Sequence, residues 1–113
     1  MTLYNPGDVV LVRFPFTDLS STKKRPALVV SPGGFTAKHG DLVVLAMTSQ
    51  SQSDISLRLQ NWKSAGLLRP TWFKPLIGTL AAGLVRRPLG KLGVKDHARA
   101  KMVIRKLIAA EFL

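Results

Sequence analysis

The chain has 113 residues, no cysteine and two histidines, and its 17 Lys and Arg against 6 Asp and Glu give a formal net charge of +11. That length suits one compact domain over residues 1–113 with a single core, no apolar run approaches the ~20 residues a membrane-spanning helix needs, and the absence of cysteine excludes disulfides and thiolate metal sites. The charge points to an anionic partner: nucleic acid is the first candidate, although an acidic protein or an anionic membrane surface would feel the same field. His39 and His97 are isolated from each other, so no metal site and no cofactor is expected. The N-terminus lacks the charged-then-apolar layout of a secretory signal, so a cytoplasmic location is expected.

Pro6, Gly7 and Asp8 form a turn signal, and residues 9–16 follow as a strand whose even positions make one apolar, core-facing side, with Pro15 ending regular pairing or marking a free edge. A polar loop over 18–24 leads to Arg25, Pro26 and a buried strand over 27–31, bounded by Pro26 and Pro32. Arg25 therefore stands at a strand mouth, where rigid backbone can hold a guanidinium against an anion entering under the loop. Taken alone, a solvated arginine beside two lysines is the plainer reading. Pro32, Gly33, Gly34, His39 and Gly40 are the ingredients of a hairpin.

Residues 41–48 are almost unbroken in apolar character and read as a strand covered on both faces. A polar cluster over 48–54 ends it. Residues 55–59 alternate apolar with polar as a half-exposed strand does, with Arg58 facing out. Residues 61–66 read as a single helical turn capped by Asn61 and ended by Gly66, with Trp62 plugging the core. A strand over 71–80 is interrupted by Pro75, which marks an edge or a bulge, and 84–92 gives one more short strand or bend. From about residue 95, Ala100, Val103, Ile104, Leu107 and Ile108 recur at helical spacing, and Asp96 in the first turn suits the helix dipole. Short strands in series with one terminal helix imply a mainly β fold: a small bent antiparallel sheet closed into a β-barrel with the C-terminal α-helix across it.

The run Gly7-Asp8-Val9-Val10-Leu11-Val12-Arg13-Phe14-Pro15-Phe16-Thr17-Asp18 is followed by Lys24-Arg25-Pro26-Ala27-Leu28-Val29-Val30-Ser31 and Ala46-Met47-Thr48-Ser49-Gln50. Trp62-Lys63-Ser64-Ala65-Gly66-Leu67-Leu68-Arg69-Pro70 and the stretch 84–92 come next. In this order and spacing, over nearly the whole chain, they resemble the MazF/PemK family of toxin endoribonucleases. The resemblance implies an SH3-like barrel, a homodimer, metal-independent cleavage of single-stranded RNA, and neutralisation by an acidic antitoxin protein. It implies that Arg25 and Thr48 are the catalytic arginine and threonine. Asn61 stands where that family commonly has Asp, Thr71 where it has Ser, and 76–83 is poor in charge; these departures bear on substrate preference and the antitoxin groove.

Cutting RNA through its own 2′-hydroxyl requires a group to take that proton, groups to stabilise the phosphorane, and a group to protonate the leaving 5′-oxygen. Arg25 meets the second need, and the Thr48 hydroxyl can donate to a nonbridging oxygen. Asp18, as base or loop anchor, Ser49, as phosphate contact, and Lys24 are supporting candidates. Lys23, Arg58, Arg69, Lys74, Arg86 and Arg87 are candidates for tracking a phosphate backbone, and Trp72 for lining a groove by base stacking. Trp62 reads as core packing, His39 as a solvated turn residue and His97 as helix surface. Two other functions fit the same composition: a non-catalytic nucleic-acid-binding barrel, and a toxin that grips a protein as the gyrase poisons do. The pairing of Arg25 with Thr48 at converging strand ends favours the nuclease.

Overall fold

In a computed structural model, which describes residues 4–13 and 23–113, the apolar runs become five antiparallel strands: β1 (Asp8–Arg13), β2 (Lys24–Val29), β3 (Asp41–Thr48), β4 (Trp72–Ala81) and β5 (Val85–Lys91). They pair in the order β4-β3-β2-β1-β5. A short helix, α1 (Phe35–His39), joins β2 to β3, and α2 (Val94–Leu107) follows β5. The mainly β, SH3-like architecture with a C-terminal helix is the one the sequence implies. Hydrogen bonding leaves the sheet open, with β4 and β5 as its two edges. Among the described residues no helix is long and apolar enough to cross a membrane.

The strands carry core on both faces. Successive side chains point to opposite sides, and Val9, Leu28, Leu45, Met47 and Phe73 join one cluster while Val10, Val12, Ala27, Val29 and Val44 join another. α2 covers the first cluster with Ala100 and Val103. Val9 is as fully buried as Val10 and Val12, so β1 is sandwiched rather than one-sided. β3 behaves as its composition requires, with Val44 through Thr48 buried without a break.

Two segments differ from expectation, and a third keeps its expected turn, ended by Gly66, but not its side-chain cap. Residues 35–39 are helical instead of forming part of a hairpin, because Gly40 adopts φ 73° and its N–H closes on the Thr36 carbonyl at 2.8 Å, a glycine C-cap. Residues 55–59 are not a strand. Asp54 accepts from the Ser56 N–H (2.9 Å) and hydroxyl (2.6 Å), and this local bonding winds Ile55–Leu57 into a 3-10 turn. Of that stretch only Arg58 makes a β-bridge, to Trp72. Residues 61–67 form a tight turn in which Asn61 acts through its carbonyl, accepting from Ala65 N–H at 3.3 Å, while Gly66 takes φ 85°. A β-carbon on Gly66 would run into the Leu89 carbonyl, so this turn lies backbone to backbone against β5.

Asp96 does more than complement a dipole. It is wholly buried, and its two oxygens accept from the backbone N–H groups of Gln60 (2.7 Å) and Asn61 (2.8 Å). One turn on, Arg99 donates to the carbonyls of Arg58 (2.8 Å) and Ile55 (3.2 Å). Together they fasten the 55–61 segment to α2.

Candidate active site

Proline chemistry opens the site. In β2 the Val29 carbonyl accepts from Gly7, on the β1 side, whereas the Val30 N–H donates to Val43, on the β3 side. Backbone groups alternate along a strand, so position 26 owes its N–H to β3, and Pro26 has none. The β2–β3 ladder accordingly runs only from Val29↔Val44 to Ala27↔Ala46, while the β1–β2 ladder continues through Pro26 to Lys24. β2 and β3 part at this end. Two further steps along the same register bring Arg25 opposite Thr48, their side chains on one face across the gap.

A recess of ≈ 230 Å³ occupies that gap, lined by Lys23, Lys24, Arg25, Pro26, Met47, Thr48 and Ser49. Among the described residues no carboxylate lines it. Arg25 is half-buried and Thr48 almost wholly so, with 5% of its surface exposed. The Thr48 hydroxyl oxygen accepts from the Gln50 N–H at 3.1 Å, which fixes the oxygen and leaves its hydrogen for an incoming acceptor. The arrangement can do two things chemically: clamp an anion with a guanidinium fork, and donate one neutral hydrogen bond beside it.

Lys24, Pro26 and Ser49 are shared with a neighbouring groove of ≈ 400 Å³. Its floor includes Leu11, Leu67 and Leu89, and Arg69 and Arg87 are among its cations. Two β-bulges in β5 shape this side: β1 pairs Val9↔Gly90 then Val10↔Pro88, and Leu11↔Arg87 then Val12↔Val85, so Leu89 and Arg86 are the extra residues. Thr71, buried, donates its hydroxyl to the Arg69 carbonyl at 2.8 Å and steadies the loop that carries Arg69.

Of the residues singled out by sequence, Lys23, Lys24, Arg25, Thr48 and Ser49 converge, and Arg69 and Arg87 extend the cationic lining. Trp72 and Arg58 sit beyond Thr48, with the Arg58 guanidinium carbon 5.6 Å from the Trp72 ring centroid. Lys74 and Arg86 line neither cavity, and Asp18 falls outside the described residues. His39 is exposed on α1, and His97 lies against Gly7. Among the described residues no three His, Asp or Glu side chains converge as a metal site requires. Sequence reading missed the placement of Arg99 beneath Arg58; its spacing one turn from Asp96 and next to buried Ala100 was the available clue.

A small basic SH3-like fold with a cation-lined cleft where two strands part is the class this geometry defines. The family described as PemK-like, MazF-like toxin of type II toxin-antitoxin system matches residues 5–108, and the chain belongs to it. Solved structures agree in fold. MazF from Deinococcus radiodurans superposes with a TM-score of 0.76 at 18% identity, over 95% of this chain and 97% of that one. An endoribonuclease from a Mycobacterial species gives 0.70 at 19% identity, over 95% and 92%. An endoribonuclease in complex with its cognate antitoxin, also Mycobacterial, gives 0.64 at 18%, over 95% and 94%. A search of curated proteins finds no match.

Proposed function

We propose that this chain is a toxin that cleaves single-stranded RNA, mRNA above all, and that it does so as one domain over residues 1–113 without a metal ion. The observation that carries the reading is the parting of β2 and β3 at Pro26, with Arg25 and Thr48 facing each other across a recess lined by cations. The nucleophile is the substrate's own 2′-hydroxyl. Its oxygen gives up its proton and bonds to phosphorus while the bond from phosphorus to the 5′-oxygen breaks and that oxygen takes up a proton, yielding a 2′,3′-cyclic phosphate and a 5′-hydroxyl. Arg25 bears the charge that develops on the nonbridging oxygens, and Thr48 donates to one of them. Lys24, Ser49 and Asp18, which precedes β2 in the chain, support this step. Lys23, Arg58, Arg69, Trp72, Lys74, Arg86 and Arg87 hold the strand. The chain's donors for a metal are sparse, with no cysteine and six carboxylates in all, which supports a reaction run on side chains.

The partner that silences the toxin is an acidic antitoxin protein. The net charge of +11 supports this, as does a groove of ≈ 310 Å³ in which Leu57, Met102 and Leu107 lie with Arg99 and Lys106. The working unit is a homodimer in the cytoplasm, where its substrate is.

The test is incubation of the purified protein with a defined RNA in excess EDTA. Cleavage should proceed undiminished, and an RNA carrying a single 2′-deoxy sugar at the cut should survive. Arg25→Ala should lose on the order of a hundredfold or more in rate, Thr48→Ala should fall with it, and Arg25→Lys, which keeps the charge but not the fork, should be badly impaired. A requirement for Mg²⁺, or near-normal activity in Arg25→Ala, sinks the reading.

A further inference from the structure

The hydrogen-bond registers place four side chains in one row. Trp72 of β4 is the cross-strand partner of Thr48, and Arg58 is bridged to Trp72 on its other side. With Arg25 opposite Thr48 by extension of the β2–β3 register, the row reads Arg25, Thr48, Trp72, Arg58. Directly opposed residues of antiparallel strands project to the same face. Paired strands lie about 4.8 Å apart, so Trp72 stands roughly 5 Å and Arg58 roughly 10 Å from Thr48, with Arg25 across the gap on its other side.

The far end of the row has been built with care. The β4 residue committed to the core is Phe73, fully buried, whereas Trp72 keeps part of its surface in solvent. Arg58 is exposed, yet its guanidinium lies over the Trp72 ring at 5.6 Å. Its backbone is pinned at both ends, the carbonyl by Arg99 at 2.8 Å and the N–H by the Ile55 carbonyl at 3.1 Å. A guanidinium resting on an indole is a platform with two uses: its plane and the ring accept a stacked base, and its charge faces the neighbouring phosphate.

We infer that Trp72 and Arg58 form a stacking subsite for one nucleobase of the bound single strand, and that this subsite sets which nucleotide near the cut is gripped. The inference rests on the RNA-cleaving reading above. A stacked strand advances about 3.4 Å per nucleotide, so the gripped base lies within about three nucleotides of the phosphate held beside Thr48. The strand therefore crosses β2, β3 and β4 transversely. Arg99 is a positioning residue, acting through the backbone of Arg58.

The test uses an uncleavable, fully 2′-O-methylated single strand of mixed sequence, followed by anisotropy and by tryptophan emission. Only Trp62 and Trp72 emit, so the Trp62→Phe protein reports on Trp72 alone. Binding should quench its emission, and the Trp72→Phe protein should show no comparable quench. Trp72→Ala and Arg58→Ala should each weaken binding about 5- to 150-fold, the range of a lost base–aromatic stack. Arg58→Lys, which keeps the charge but not the plane, should weaken it nearly as much as Arg58→Ala. Thermal unfolding of each variant checks that the fold is kept. Should the strand bind while Trp72 emission stays constant and folded Trp72→Ala binds within about twofold of the parent, the subsite is wrong and the nuclease reading stands. Should the parent protein neither bind the strand nor cut RNA, the nuclease reading fails and takes the subsite with it.

Discussion

Replacing Asp96 tests how the site-bearing segment is held. Its carboxylate is fully buried and accepts from two backbone N–H groups at 2.7 and 2.8 Å. Hydrogen bonds to a charged group contribute about 1.5–3 kcal/mol each, so the pair is worth about 3–6 kcal/mol before any offset. Asp96→Ala recovers part of that by removing a desolvated charge, and water reaches the freed N–H groups of Gln60 and Asn61, whose residues are exposed. The net expected loss is about 3 kcal/mol. At about 2.1 cal/mol/K of unfolding entropy per residue, 113 residues convert this to a fall in Tm of roughly 12 °C. Asp96→Asn keeps one acceptor and turns an amide toward the second N–H, so it should lose about 2 kcal/mol. The assay is urea or thermal unfolding at fixed protein concentration, with amide exchange at Gln60 and Asn61 as the local readout. A loss below about 1 kcal/mol in Asp96→Ala, with exchange at those two amides unchanged, would refute the clamp.

Gly66→Ala should destabilise by upward of about 3 kcal/mol, because φ 85° costs a side chain ~1–2 kcal/mol and the added carbon pushes on Leu89 of β5; denaturant midpoints decide it. Pro26→Ala should leave stability within about 1 kcal/mol, since the entropic loss of ~0.4–1 kcal/mol is offset by a hydrogen bond of similar worth. It should nonetheless lower RNA cleavage as the β2–β3 ladder zips toward Met47, and full activity with an unprotected amide at position 26 would count against the wedge. The Ser56 hydroxyl, then the Ser56 N–H, hold the exposed Asp54 carboxyl below its usual range. A lowered carboxyl favours the folded turn above the unfolded pKa of about 3.9, and that contribution disappears as pH falls through the lower folded value. An NMR titration should therefore show the Ser56 amide moving below about pH 4, and a transition well above that would contradict the sign.

Much of the sheet was legible because strand burial writes itself into composition. The unbroken apolar run of β3 and the proline within β4 could be read directly, and β4 is indeed an edge. Residues 55–59 misled because alternation of apolar and polar residues fits either a strand or a capped turn. The hydrogen bonds from Ser56 to Asp54 decided between them, and such local competition leaves no periodicity to read.

The candidate site divides along the same line. Sequence alone determined which residue types were present, that Arg25 and Thr48 sat near strand ends, and that the field around them was positive. It could not say that they face each other, since opposition depends on the register between β2 and β3, a contact between segments about 20 residues apart. Nor could it say that Pro26 would part those strands, because a missing N–H matters only once the neighbour it should have bonded is known. Arg58 over Trp72, Arg99 beneath Arg58 and Asp96 against Gln60 and Asn61 are of the same kind. Each joins residues far apart in the chain, and only the packing of α2 and β4 decided which would meet.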